Sequence, residues 1–241
     1  MLHFIKARIR HGYQAIPNPL TVGMDPAFPG VPELTASADL QMLGGLCPTN
    51  AFSSDGIDLG RCVFCGLCAR EHPEMIKFTP NNKLAVDSRD KLIMAPGQKA
   101  LPKIEFRLPF SLRRSFALRN VSAGGCNACE MELAASNNVN FDISRYGIDI
   151  VASPRHADAL ILTGPINRNM AEALSETWQA IPEPKYLILC GTCAISGGIF
   201  AGAETINRAF LKHWAACLFI PGCPAHPLSI VHAIASIMGR R

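Results

Sequence analysis

Tyr186-Leu187-Ile188-Leu189-Cys190-Gly191-Thr192-Cys193 opens with a short β-favouring, largely apolar run that stops on a glycine. A run of this length, bounded by a turn residue, has the pattern of a buried strand. Four similar runs share the second half of the chain, at Phe116–Val121, Ile148–Ala152, Ala159–Thr163 and Cys217–Ile220. Helical stretches alternate with them at Glu130–Asn137, Arg168–Ala180 and Leu228–Met238. Alternation on this scale predicts an α/β architecture, a parallel sheet covered by helices.

Outward from the strands, the loops carry cysteines. Gly124-Gly125-Cys126-Asn127-Ala128-Cys129-Glu130 follows the first run, and Gly191-Thr192-Cys193-Ala194-Ile195-Ser196-Gly197-Gly198 follows the fourth. Pro221-Gly222-Cys223-Pro224 follows the last. Sites in open parallel sheets form outside the carboxyl ends of the strands, so these loops are expected to share one crevice. The glycines let the backbone come close to a bound group and donate N–H bonds to it. Cys126, Cys129, Cys193 and Cys223 then form a four-thiolate site suited to a cubane iron–sulfur cluster. Cys190 and Cys217 occupy apolar strand positions and read as core residues, because a free cysteine packs as a small hydrophobe. Spacing alone leaves Cys190 open as the ligand in place of Cys193.

A second cysteine set lies in the first third. Cys62-Val63-Phe64-Cys65-Gly66-Leu67-Cys68 is a C-x2-C-x2-C run, whose usual fourth cysteine comes three residues later, before a proline. Here that place holds His72-Pro73, while Cys47-Pro48 stands upstream. In two-cluster ferredoxins the fourth cysteine of each run serves the other cluster, so Cys47 completes Cys62, Cys65 and Cys68. The complementary positions are Ser37, Leu40, Leu43 and His72, so one site is whole and the other is lost as a unit. The expectation is one [4Fe–4S] cluster in a small ferredoxin-like domain. Tetrahedral zinc also takes four cysteines, but its ligands usually come as two separated pairs. His72 reads as a surface or packing histidine.

The chain has 241 residues, 49% hydrophobic and 17% charged, enough apolar material for real cores. The charge content lies below the roughly 25% of average soluble proteins, which points to surface buried against partners. The net charge of +4 is dispersed, so a nucleic-acid footprint is not supported. Ten cysteines in a secreted chain would suggest disulfides. Met1–Lys6 shows no apolar signal-peptide region, and the expected setting is cytosolic, where metal ligation is favoured. Ser111-Leu112-Arg113-Arg114-Ser115-Phe116 has an export-like arginine pair but no apolar region after it. No apolar run reaches the ~20 residues that span a bilayer.

Prolines and glycine at Pro96, Gly97, Pro102 and Pro109 divide the cysteine sets. The expected organisation is an extended arm over 1–34, a ferredoxin-like domain over 35–95, a linker over 96–112 and the α/β domain over 113–241. Within the arm, Phe4 to Tyr13 is a basic segment, read as either an amphipathic helix lying on a partner or on anionic lipid, or a solvated N-terminal turn.

Residues 113–241 resemble the family shared by the 20 kDa (B) subunit of respiratory complex I and the small subunits of [NiFe] hydrogenases. The resemblance is carried by Gly125-Cys126-Asn127-Ala128-Cys129-Glu130, Ser153-Pro154-Arg155-His156-Ala157-Asp158, Thr163-Gly164-Pro165-Ile166-Asn167-Arg168-Asn169-Met170, Gly191-Thr192-Cys193 and Pro221-Gly222-Cys223-Pro224. It matches Cys193 to the family's loop ligand. The first third resembles the two-cluster ferredoxin subunit of formate-hydrogenlyase-type complexes, on Phe4-Ile5-Lys6, Pro32-Glu33, Cys62-Val63-Phe64-Cys65-Gly66 and Leu84-Ala85-Val86. The lost cluster is a departure from that pattern.

Together the resemblances imply a flavodoxin-like parallel-sheet domain with cluster loops at the strand carboxyl ends, plus a small α+β ferredoxin-like domain. They imply two [4Fe–4S] clusters relaying electrons to or from a nickel–iron site on a separate large subunit. Implied partners are that large subunit, membrane-embedded complex I-like subunits and an electron-donating iron–sulfur protein or dehydrogenase. The implied place is cytoplasmic, on the inner face of the membrane. Cys126-x2-Cys129 is similar to the hydrogenase branch, where complex I subunits carry adjacent cysteines. Glu130 and His156 are expected near the second-domain cluster. The alternative implied is a nickel-free, complex I-like NADH or ferredoxin:quinone oxidoreductase. A third reading, from another class, is a non-redox zinc-stabilised assembly subunit.

Overall fold

In the computed structural model, which describes residues 2–12 and 16–240, the first third is built from short elements. They are α1 (Leu2–His11), β1 (Pro32–Leu34), α2 (Leu40–Leu46), β2 (Phe52–Ser53), β3 (Gly56–Asp58), α3 (Leu67–Glu71), β4 (Ile76–Phe78) and β5 (Ile93–Met94). β1 pairs antiparallel with β4, and β2, β3 and β5 form a second antiparallel ladder. Asp39 caps α2, its carboxylate accepting from the N–H groups of Gln41 and Met42. The expected basic segment is helical through His11; its end at Tyr13 lies outside the described residues.

The second half alternates strand and helix as its pattern requires: β6 (Phe116–Ser122), α4 (Ala128–Ala135), β7 (Ile148–Ile150), β8 (Ala159–Thr163) and α5 (Arg168–Ala180). β9 (Tyr186–Cys190), α6 (Thr192–Ser196), α7 (Phe210–His213), β10 (Leu218–Ile220) and α8 (Pro227–Ile237) follow. The five strands form one sheet in the order β7-β6-β8-β9-β10, and every pairing is parallel. Counted along the chain from β6 this is 2-1-3-4-5, the flavodoxin-like order, with its switch point between β6 and β8.

Strand alternation sorts the core into two layers. Leu160, Leu162, Leu187 and Leu189 face α5, where Leu174 and Trp178 are buried, and this layer continues into the first third through Leu43, Ile57 and Leu92. Ala159, Ile161, Ile188 and Cys190 face the other way, onto Leu133 of α4 and the apolar side of α8. Val86 forms an antiparallel bridge with Phe219, so the first third also extends the β10 edge of the sheet. Within 104–108, Ile104 and Leu108 are buried, and the Leu108 N–H donates to the Ile237 carbonyl at 2.9 Å.

Candidate metal centres

The cysteine loops emerge at the carboxyl ends of β6, β9 and β10, on both sides of the switch point. β6 turns sharply at Gly124, whose φ of +84° and contact with the Asn167 side chain leave no room for a Cβ. Cys126 is exposed in that turn, and Cys129 lies in the first turn of α4. Gly191 (φ +90°) ends β9 against the Cys129 Sγ, so a side chain there would displace the thiol. Cys193 follows on α6 and Cys223 after β10.

Electrostatics tie these four thiols together. Burial pushes the Cys129 thiol up to about 12; the Ala225 N–H opposes this, and Glu130, Cys193 and Cys223 add to it. Cys193 is pushed up to about 11 by burial and by Cys223, Cys126 and Glu130, against the Arg208 guanidinium. Cys223 is raised by burial, then by Cys126 and by Cys65 of the other set. Burial and mutual charge thus favour the protonated thiols of Cys129, Cys193 and Cys223, and a bound cation would reverse that preference.

Cys47, Cys62, Cys65 and Cys68 line one cavity, with Phe52, Ile57 and Phe78 as its apolar wall. The Ala51 N–H donates to Cys47 Sγ at 3.3 Å and the Phe64 N–H to Cys62 Sγ at 3.3 Å. Burial raises Cys62 well above the ordinary thiol value and raises Cys68 as well, and the neighbouring thiolates of the set add to both. The strand leading into this loop is fixed by Asp58, which accepts from Arg89 Nη1 at 2.8 Å and the Gly60 N–H at 2.8 Å. At the complementary positions Leu43 is fully buried and Leu40 packs on the same core. Ser37 is exposed, and His72 Nδ1 lies 3.1 Å from Glu74 Oε1.

The two sets meet across the seam between the halves. Thr192 Oγ1 donates to the Cys62 carbonyl at 2.8 Å and reaches the Gly222 carbonyl at 3.2 Å. Phe64 and Cys223 line a shared cavity with Pro221, Gly222 and Pro224. Among the described residues, no three His, Cys, Asp or Glu side chains are close enough to share a single metal ion. Ligands of a cluster bind different corners of a larger body and stand further apart.

Three details differ from expectation. His156 is exposed in the turn entering β8, at the amino end of the sheet, because the short β7 returns the chain there before Ala159; it is not beside the cysteine loops. Cys217 precedes β10 rather than lying in it, although burial still pushes its thiol up to about 12. Arg208, which no motif singled out, and Thr192, which the Gly191-Thr192-Cys193 motif contains without assigning it a role, organise the site. Arg208 donates to the carbonyls of Pro165 (3.2 Å), Cys193 (3.1 Å), Ala194 (2.7 Å) and Ile195 (2.9 Å), holding the Cys193 loop. Glu130 does lie among the thiols, its Oε1 accepting from Thr163 Oγ1 at 2.7 Å. Cys190 is fully buried, and Cys129 and Glu130 are the charges that act on it.

Residues 126–237 match the family model of the NADH ubiquinone oxidoreductase 20 kDa subunit. The chain is 39% identical over 128 residues to formate hydrogenlyase subunit 7 of Escherichia coli, covering 53% of this chain and 50% of that one. It is 33% identical over 137 residues to a protein named as a membrane-bound hydrogenase subunit of Pyrococcus furiosus, covering 57% of this chain and 82% of that one. With NAD(P)H-quinone oxidoreductase subunit K of Synechococcus elongatus it shares 40% identity over 114 residues, 47% of this chain and 48% of that one. It thus spans half the length of the Escherichia coli relative. These relatives are subunits of oxidoreductase complexes, and no helix among the described residues is long and apolar enough to cross a membrane. Given the family-model match and the extent of the Pyrococcus relative covered, the chain belongs to the NADH ubiquinone oxidoreductase 20 kDa subunit family.

Proposed function

We propose that this chain is the electron-relay subunit of a membrane-associated, [NiFe]-hydrogenase-type complex. The observation that carries the reading is the placement of two four-cysteine sets on either side of one seam, joined by the 2.8 Å hydrogen bond from Thr192 Oγ1 to the Cys62 carbonyl. Each set fits a [4Fe–4S] cluster by its donors: Cys47, Cys62, Cys65 and Cys68 on one side, Cys126, Cys129, Cys193 and Cys223 on the other. When bound, such a cluster supplies a one-electron site whose potential follows its charge, sulfur hydrogen bonds and exposure. The residues supply the rest. Thr192 locks the two loops at a fixed separation, Arg208 rigidifies the Cys193 loop, and the Ala51 and Phe64 N–H groups stabilise thiolate charge. Cys193 faces Cys126 and Cys223 electrostatically, whereas Cys190 is acted on by Cys129 and Glu130; this supports Cys193 as the ligand.

The bond-making site belongs to a large subunit docked where Cys126 and Cys223 are exposed. Exposed Met131 on α4 and Ile199 just after α6 supply apolar surface there. Residues 35–95 act as the ferredoxin-like input domain on this reading. The chain is a peripheral subunit on the inner face of the membrane, alongside membrane-embedded complex I-like subunits and an iron–sulfur electron donor.

A second reading, a nickel-free quinone-reducing complex, draws on the similarity to NAD(P)H-quinone oxidoreductase subunit K. Nickel and iron measured per copy of this chain, in the complex isolated anaerobically, separate the two. Nickel near one equivalent supports the hydrogenase assignment. Abundant iron without nickel moves the assignment to the quinone-reducing relative. A colourless, zinc-bearing complex overturns the relay altogether.

A further inference from the structure

We propose that α1 is an interfacial anchor that lies on an anionic phospholipid surface. Its ten residues include no buried side chain. An isolated helix of that length is marginal in water and is normally held by packing of one face. The sequence supplies such a face: Leu2, Ile5 and Ile9 recur at i, i+3 and i+7, forming one stripe. They are 73%, 52% and 77% exposed, while Phe4, 79% exposed, stands on the opposite face between Arg8 and His11.

The charges state what covers the stripe. At 100° per residue, Lys6 and Arg10 flank it on one side and Arg8 on the other. Arg8 also donates to the Gly12 carbonyl. No acidic residue occurs among the described residues of this segment, 2–12. Cations bordering both sides of an apolar stripe suit a helix lying in the headgroup plane: the stripe enters the acyl boundary and the long stems reach back to the phosphates. A protein groove would be served equally well by mixed charges; a negatively charged lipid leaflet rewards uniformly positive ones. Three cations and a short stripe make the attachment weak and reversible, a supplement to docking within a complex. Vesicle binding is read independently of metal content, so it stands or falls apart from the relay assignment.

The test is co-sedimentation of the cluster-loaded full chain with phosphatidylserine-containing phosphatidylcholine vesicles and with pure phosphatidylcholine vesicles. Expected is binding to the anionic vesicles alone, weakened by salt as screening requires. Lys6→Gln with Arg10→Gln should lower affinity by more than tenfold, at about fivefold per charge. Ile5→Asp with Ile9→Asp should abolish binding. These residues are exposed, so the visible absorbance of the bound clusters should be unchanged. Absence of binding, equal binding to neutral vesicles, or undiminished binding by the charge-loss variant overturns the proposal. So does a charge-loss variant that keeps vesicle binding but dissociates from its co-purified subunits in detergent, since that outcome assigns α1 to a protein partner.

Discussion

Thr192 Oγ1 donates a 2.8 Å hydrogen bond to the carbonyl oxygen of Cys62, joining loops 130 residues apart in sequence. Thr192 is buried, so the bond is not exchanged for water. It fixes the first cysteine set against the loop that carries Cys193.

Thr192→Val keeps the shape and removes the donor. Leaving the Cys62 carbonyl unpaired should cost about 1–3 kcal/mol. Chemical denaturation of the loaded chain checks this, with Thr192→Ser expected to hold the wild-type midpoint. Equal midpoints for all three proteins would mean the bond contributes nothing.

Arg208 acts on a different loop. Arg208→Met leaves four carbonyls without their cationic donor, for an expected loss of about 3 kcal/mol. Iron should be lost selectively from the second set, read as half the iron and one of two electron-paramagnetic signals. Arg208→Lys should not rescue, because an ammonium cannot span this fork of acceptors.

The partition of cysteines predicts separable losses. Cys47→Ser should remove the first-set cluster alone and Cys223→Ser the second-set cluster alone, each lowering iron by about half. Both signals vanishing in either variant would refute the partition.

Cys190 and Cys193 are told apart in the same way. Cys193→Ser should abolish the second signal. Cys190→Ala should retain it and cost about 1 kcal/mol through a small cavity beside Leu133 and Ala225. The reverse pattern would make Cys190 the ligand.

His232 on α8 sets a pH dependence. Burial, with the nearby Lys83 charge, lowers its pKa from 6.5 to about 4. Between those values the unfolded chain binds a proton that the folded chain excludes, so stability is full above about pH 6.5 and declines as pH falls toward about 4. In His232→Leu that decline should flatten in denaturation midpoints measured across the window. An unchanged slope would show that other groups govern it.

Much of the architecture was legible in residue order. The β8, β9 and α5 boundaries follow from apolar runs ending in glycine and proline, and from the capping of α5, where Asn167 Oδ1 accepts from the Met170 N–H at 2.9 Å. α6 and α7 were not legible, since helices of five and four residues carry no period of their own and form because tertiary contacts close them. His156 was expected near the cysteine loops yet lies at the far end of the sheet, because β7 has only three residues and the chain returns at once.

The sequence alone determined the α/β class, the two cysteine sets and the glycines that bend each loop, because these depend on local periodicity and on the conformations a residue permits. Tertiary structure alone decided the strand order, the seating of the Cys62 loop on the Cys193 loop, and the roles of Thr192 and Arg208. Those depend on which surfaces bury one another, and a hydroxyl or guanidinium has no assigned partner until packing brings a distant carbonyl within reach.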